Sequence, residues 1–548
     1  MTPNQHHDFV VIGAGLGGLA AAIRAHDLGL SVLVLEKSDQ LGGTGAQSSG
    51  YQWCAGNHLA ARAGIADTWR EGFTYLRAFS GGTHDDRLLE TLCRTAPAAF
   101  AYYEEVGVRW RLFDDPDNRW PELPGSLERG RCLELEPFDP RLLPEIWSDR
   151  VRHSPRTHLY TNQQINWEMG GRAHRYKWHP DPGADAEAPP LRQQGSALAA
   201  YLAVAIHARG VPVRTDVAVE AVMTEGRRAT GVIADMDGER QTILAAQGVL
   251  VATGGYDWNP ELVARFDKRT SQGSSAPPTV TGDHFALLGH LRPVTRTVPR
   301  HSLGCFVEPA GFGGDPAPRT QVFWGAFPHA IVVNEAGRRF GCEEDVPGFG
   351  NRSIGGRMHD AEGLPLNWPA FGIFDSRYRA KYAVGRAAPG EPIADCFVEA
   401  RTLGELARAL GIDGEALAET VAAFNVGARA SVDPEFGRGE NLWASIQYGD
   451  RHAAPNPCLG PIDEPPFYGV RLTQTTGGSL TAAGLLCDEH ARILDEDHQP
   501  IERLYAAGNA MAYRDLGAYF HSGTANTRGL TWGYVAATHA AGAPRRPA

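Results

Sequence analysis

The feature that most constrains this chain is a glycine turn set between two apolar runs near residue 10. Phe9-Val-Val-Ile12 reads as a buried strand, Gly13-x-Gly15-x-x-Gly18 follows at once, and an alanine-rich helix runs to Leu28. A second apolar strand, Ser31-Val-Leu-Val-Leu35, completes a βαβ unit. In such a turn the first glycine allows the tight bend, the second lets backbone approach a pyrophosphate, and the third lets helix and strand pack closely. The helix N-terminus favours phosphate charge. Glu36 ends the second strand, where a carboxylate can accept hydrogen bonds from ribose hydroxyls. The opening therefore predicts a dinucleotide-binding α/β unit.

At 548 residues the chain is too long for one hydrophobic core. A second α/β block runs from Ser196 to Tyr256, with a helix over Leu198 to Arg209 and the strand Gly248-Val-Leu-Val-Ala-Thr253. The chain returns to a buried strand at Leu504-Tyr-Ala-Ala-Gly508. Residues 1–110, 191–291 and 456–548 are thus expected to form one discontinuous cofactor domain. Residues 111–190 are rich in proline, charge and tryptophan (Trp120, Trp147, Trp167 and Trp178, with Trp110 at the edge). They read equally as a cap over an apolar ligand and as a packed, loop-rich insertion. Residues 292–455 hold their own strand, Ala330-Ile-Val-Val-Asn334, and an amphipathic helix, Leu403 to Leu410, as expected of an α+β substrate domain.

A net charge of −12 offers no basic field for nucleic acid or anionic lipid, which leaves a small molecule as the expected partner. The apolar stretch Phe9 to Ile23 is too short and too glycine-rich to span a bilayer, and no signal-peptide pattern opens the chain. No integral membrane segment and a cytoplasmic location are expected. Eight cysteines without a close C-x-x-C pair argue against a metal site and against a disulfide framework.

Three glycine-rich segments in fixed order narrow the cofactor: Leu41-Gly-Gly-Thr44, Val251-Ala-Thr-Gly-Gly255 and Tyr505-Ala-Ala-Gly-Asn509. Together with the first turn they resemble the glutathione-reductase-like FAD-binding superfamily. The resemblance implies an α/β, Rossmann-type FAD-binding domain with the α+β substrate domain inserted. It implies FAD contacts from Gly13, Gly15, Gly18, Glu36, Lys37, Gly43, Thr44, Ser49, Gly50, Val217, Thr253, Gly254, Gly508, Asn509, Gly529 and Leu530. Within that superfamily the chain resembles the fumarate-reductase and 3-ketosteroid-dehydrogenase family. The carrying segments are Ser48-Ser-Gly-Tyr-Gln-Trp53, Gly337-Arg-Arg-Phe340, Pro466-Phe-Tyr468 and Gly477-Gly478. Covalently flavinylated members carry a histidine where this chain has Gly45-Ala-Gln-Ser48, so non-covalent FAD is implied.

The resemblance divides into two branches. Dicarboxylate-binding relatives carry a histidine and an arginine where this chain has Gln474 and Phe520 or His521. The ketosteroid branch carries a Tyr-x-x-x-Gly element, matched here by Tyr519-Phe-His-Ser-Gly523. That match implies a phenol O–H from Tyr519 and the backbone N–H of Gly523 converging on one ketone oxygen, so that the α C–H becomes acidic and the β hydrogen leaves as hydride to flavin N5. The α-proton base is not evident, because the tyrosine that steroid enzymes carry after Arg339-Phe340 is missing. Tyr160, Tyr176, His329, Tyr468 and His521 are the candidates, and Arg528 is expected at the flavin or at an acidic substituent. The implied reaction is α,β-desaturation of a 3-ketosteroid or a smaller cyclic ketone, with a quinone-like electron acceptor. The alternative is reduction of an α,β-unsaturated carboxylate.

Overall fold

The computed structural model describes residues 5–113, 120–153, 160–171, 173–174, 191–268, 270, 274, 276–297, 303–312, 319–344, 354–357, 366–475, 481–518 and 521–542. The protein is a mixed α/β structure. The glycine-turn strand Gln5–Ile12 lies inside its largest sheet, parallel to Val32–Leu35 on one side and to Glu239–Val251 on the other. Pro500–Ala506 adds a further parallel strand beside Glu239–Val251. One sheet thus collects strands from three distant parts of the sequence. Phe9, Val10 and Val11 are wholly buried, as strands covered on both faces must be.

Helix Leu16–Asp27 packs against helix Thr524–Gly542, and the contact depends on small residues. A Cβ on Gly17 would sit 3.0 Å from the Gly529 carbonyl oxygen, and one on Gly533 would sit 2.5 Å from the Gly17 oxygen. The helices meet backbone to backbone. A further helix, Gln194–Ala208, packs against Leu16–Asp27 and begins a turn earlier than the sequence pattern indicates.

A second sheet of four strands runs in the order Ala330–Asn334, Ala370–Asp375, Phe467–Arg471, Phe397–Ala400, all antiparallel. Its third strand lies beyond residue 455, where the substrate domain is expected to end. Helices Leu403–Leu410 and Gly414–Arg429 join Ile331, Val333 and Ile373 in one apolar core. Another core is aromatic, with Phe323, Phe327, Phe374, Tyr378 and Tyr382. Leu403–Leu410 is bounded as its sequence predicts, because Thr402 and Glu405 close a capping box and Gly411 takes the left-handed C-cap at φ +74°.

The tryptophan-rich insertion divides in two. Strand Cys132–Leu135 is fully buried between Gln52–Trp53 and Trp110–Leu112, and Phe138, Trp147 and Val151 join the core of the main sheet. That portion is core, not cover. Trp167 is 39% exposed, with the Arg451 guanidinium 4.1 Å above its ring, whereas Trp178 lies outside the described residues. Among the described residues no helix is long and apolar enough to cross a membrane, and no group of three or more His, Cys, Asp or Glu could hold a metal. None of the eight cysteines forms a disulfide.

Candidate active site

The parallel strands of the main sheet end at a cleft of about 1420 Å³, open mouth included. Ligands in open α/β sheets bind at these strand ends. At one end Glu36 accepts hydrogen bonds from Ala14 N at 2.8 Å and from Ser38 N and Oγ at 2.9 Å each. Beside it, Lys37 Nζ lies 2.7 Å from Asp283 and donates to Thr281 Oγ1 at 2.8 Å.

The middle of the cleft is bare backbone. Gly15 has extended dihedrals, φ −69° and ψ 174°, that any residue adopts, and a Cβ there would meet no protein atom within 4 Å. The protein itself does not need glycine at this position; the space in front of it does. Gly508, at φ +65°, is equally open. Gly15 caps helix Leu16–Asp27 without a side-chain hydrogen bond, which leaves the first helical N–H groups for an anion. A diphosphate suits this arrangement.

At the other end stand Ser48, Ser49, Tyr51, Asn509, Gly523 and Asn526. Gly523 is fixed at φ +88°, with Gln52 and Trp53 backbone 2.6–2.7 Å from where a Cβ would be. The Tyr51 hydroxyl accepts from Asn166 Nδ2 at 3.2 Å and from Gln447 Nε2 at 3.1 Å. One phenol thereby joins the cleft, the insertion and helix Leu442–Tyr448. Asn526 Nδ2 donates to Ser48 Oγ and to the Tyr51 carbonyl, both at 3.1 Å.

Of the expected cofactor contacts, Gly13, Gly15, Glu36, Lys37, Gly43, Thr44, Ser49, Val217, Thr253, Gly254, Gly508, Asn509 and Gly529 line this cleft. Gly18, Gly50 and Leu530 do not. A Cβ on Gly18 would overlap the Gly13 carbonyl oxygen, and one on Gly50, at φ +68°, would overlap the Gln194 backbone. Leu530 is buried and its carbonyl accepts from Tyr103.

The expected catalytic groups scatter more. Gly523 lines the cleft, while Tyr519 and Tyr176 lie outside the described residues. His521 is buried among Trp53, Tyr75 and Phe79 at 5.5–5.7 Å between ring centroids, outside the cleft lining. Tyr468 stacks on Phe374 in the second sheet at 5.2 Å, where burial and the neighbouring Glu399 push its phenol pKa up. His329 sits in the same region with Nδ1 2.8 Å from the Pro461 carbonyl, and burial lowers its pKa. The Tyr160 carbonyl accepts from Gln194 Nε2. Arg528 is entirely buried and does not reach the cleft; it bonds Asp515 and the carbonyls of Gly508, Met511 and Ala512.

Among the cleft residues that escape a sequence reading are Tyr51, Arg152, Asp283 and Asn526. Tyr51 and Asn526 fall in segments that the sequence flags, but pattern alone does not say which side chain turns inward. Arg152 and Asp283 carry no local signal.

Residues 8–525 match the family model described as an FAD binding domain. The chain belongs to that FAD-binding family. FAD is its cofactor, and the protein is an oxidoreductase. It is 33% identical to a 4-oxocyclohexanecarboxylate 2-dehydrogenase of Sinomonas cyclohexanicum, over 99% of this chain and 94% of the relative. It is 29% identical to a 3-oxosteroid 1-dehydrogenase of Mycobacterium tuberculosis, over 98% of each. The crystal structure of a 3-ketosteroid Δ1-dehydrogenase from Sterolibacterium denitrificans superposes with a TM-score of 0.83 at 29% identity, covering 98% of this chain and all of that one.

Proposed function

We propose that this FAD-dependent enzyme introduces a carbon–carbon double bond α,β to the carbonyl of a cyclic ketone, a 3-ketosteroid or a smaller ring such as a cyclohexanone derivative. The observation that carries the reading is full-length similarity to dehydrogenases named for such ketones. In this reading residues 1–110, 191–291 and 456–548 build a glutathione-reductase-like domain that holds FAD non-covalently, and residues 292–455, with strand Phe467–Arg471, form the wall against which substrate rests. A quinone-like molecule takes the electrons away. Disulfide-free cysteines suit a cytoplasmic enzyme.

Bound FAD supplies the hydride acceptor. The chain's own part is to bind the ketone, to keep water out and to stabilise charge on its oxygen. The N–H of Gly523, in a backbone conformation fixed by its neighbours, is one donor. The Tyr519 O–H is the other. Two donors aimed at an oxygen that gains negative charge stabilise the transition state more than the ground state.

The test is anaerobic rapid mixing with a saturated cyclic ketone, which should bleach the flavin of the wild-type enzyme. Tyr519→Phe should keep its FAD and lose about 10²–10³-fold in the rate of flavin reduction. A rate within about threefold of wild type, far short of that loss, removes Tyr519 from the mechanism. Reoxidation of pre-reduced enzyme by an unsaturated carboxylate, with no bleaching by ketones, would replace the desaturase reading by a reductase.

A further inference from the structure

We propose that Arg152 grips the diphosphate of FAD, so that the insertion supplies part of the cofactor site. The inference rests on FAD as cofactor and is independent of the substrate.

Backbone hydrogen bonds pin Arg152 beside the second glycine segment: Leu41 N donates to Arg150 O at 2.7 Å, and Arg152 N donates to Leu41 O at 2.9 Å. Its side chain then enters the cleft next to Gly42 and Gly43. The buried Nε has no hydrogen-bond partner among the described residues. Lys37 and Glu36, the charged groups that line the cleft beside it, are already engaged. Lys37 is paired with Asp283, and the Glu36 carboxylate is held by Ala14 and Ser38, so Arg152 feels Glu36 and Asp39 only through space.

A guanidinium that is half-buried, with its Nε shut away from water and unsatisfied, is costly, and burial here disfavours its charged form. An anion in the cleft would offset that cost. The other donors facing this space are the uncapped first N–H groups of helix Leu16–Asp27, which also favour negative charge. Glycines 13, 15, 42 and 43 leave the intervening volume free of side chains. A guanidinium presents a planar fork of N–H donors, which matches phosphate oxygens two at a time. The ligand chemistry is therefore a diphosphate bridging two glycine segments, with Arg152 as its one unengaged side-chain cation among the described residues.

Full-length protein stripped of flavin is titrated with FAD, ADP and adenosine by calorimetry. Arg152→Met should weaken FAD and ADP by about 10–100-fold, leave adenosine unchanged, and flatten the dependence of FAD affinity on ionic strength. Arg152→Lys, which keeps the charge without the fork, should recover part of the loss. FAD affinity within about threefold of wild type, below the worth of one charge-assisted hydrogen bond, overturns the proposal. Adenosine weakening as much as ADP overturns it too, since the contact would then lie on the nucleoside. A stripped Met variant that melts well below wild type, with Lys giving no recovery, assigns Arg152 to the fold instead.

Discussion

The cofactor cleft and the second sheet solve the problem of holding a precise shape in opposite ways. Where the first turn and its helices meet at the cleft, position is set by the absence of side chains: Gly17, Gly529 and Gly533 let two helices touch, and Gly13 and Gly18 let a turn close on itself. Behind the second sheet, position is set by large charged side chains. Arg339 donates to Glu343 at 2.8 and 2.7 Å and to Asp433 at 3.0 and 2.8 Å, with all three side chains at most 3% exposed. Arg438 Nη1 stands 3.4 Å from Glu343 and donates to the Ala330 carbonyl, while its Nη2 donates to the Phe327 carbonyl. Burial alone would raise the Asp433 pKa; the hydrogen bonds and charge of Arg339 outweigh it and hold the carboxyl below its usual range. A backbone-built region fails when an atom is added, and a charge-built region fails when one is removed.

Removing a charge should give the largest effect. Arg339→Met leaves Glu343 and Asp433 buried with less compensation, a loss of about 3–5 kcal/mol. Urea denaturation of the stripped protein is the measurement, and a loss under about 1 kcal/mol, the scale of a surface pair, would mean that this cluster is no keystone. Adding an atom comes next, and here two glycines three residues apart should part company. Gly18→Ala, whose Cβ overlaps the Gly13 oxygen, should cost about 1–3 kcal/mol whether or not flavin is present. Gly15→Ala should leave the stripped protein as stable as wild type and yet lose FAD, because its Cβ meets only the space that the cofactor needs. Paired melting curves and released-flavin fluorescence decide the matter, and equal melting losses would erase the distinction between turn and cradle.

A pH dependence is expected on the cleft side. His284 is wholly buried, its Nδ1 lies 3.2 Å from the hydroxyl of cleft-lining Thr253, and burial lowers its pKa to about 4. Between pH 6.5 and about 4 the unfolded chain takes up a proton there that the folded protein refuses. The stability it contributes is complete above 6.5 and is lost as pH falls, by at most about 1.4 kcal/mol per unit. His284→Gln should flatten the urea midpoint across that window, and a variant that follows the wild-type slope would leave the imidazole without a part in it.

The same contrast explains what the sequence reveals. A turn that tolerates no Cβ at Gly13 and Gly18, and a cofactor that needs the space before Gly15 and the carboxylate of Glu36, write their requirements within one short segment, so these residues are legible at sight, as are the strands beside them. The capping box at Thr402 and Glu405 is local in the same sense. Pairing across long separations leaves no such mark, which is why strand Phe467–Arg471 crosses the boundary expected at 455. Tryptophan content announces large rings in the insertion but not their direction. Trp147 turns into the main core and Trp167 toward solvent. Arg152 reaches the cleft only because Val151 pairs with Leu41, a contact across more than a hundred residues that neither segment encodes alone.

The junction of helices Leu16–Asp27 and Thr524–Gly542 bears on how the protein is born. A ribosome that has made the first 480 residues has delivered the glycine turn, yet it has delivered neither the parallel strand Pro500–Ala506 nor the helix whose Gly529 and Gly533 back that turn. Contacts of such sequence separation form late. Flavin capture therefore waits for synthesis to be nearly complete, and chains cut short before residue 500 should emerge colourless however much of the motif they carry.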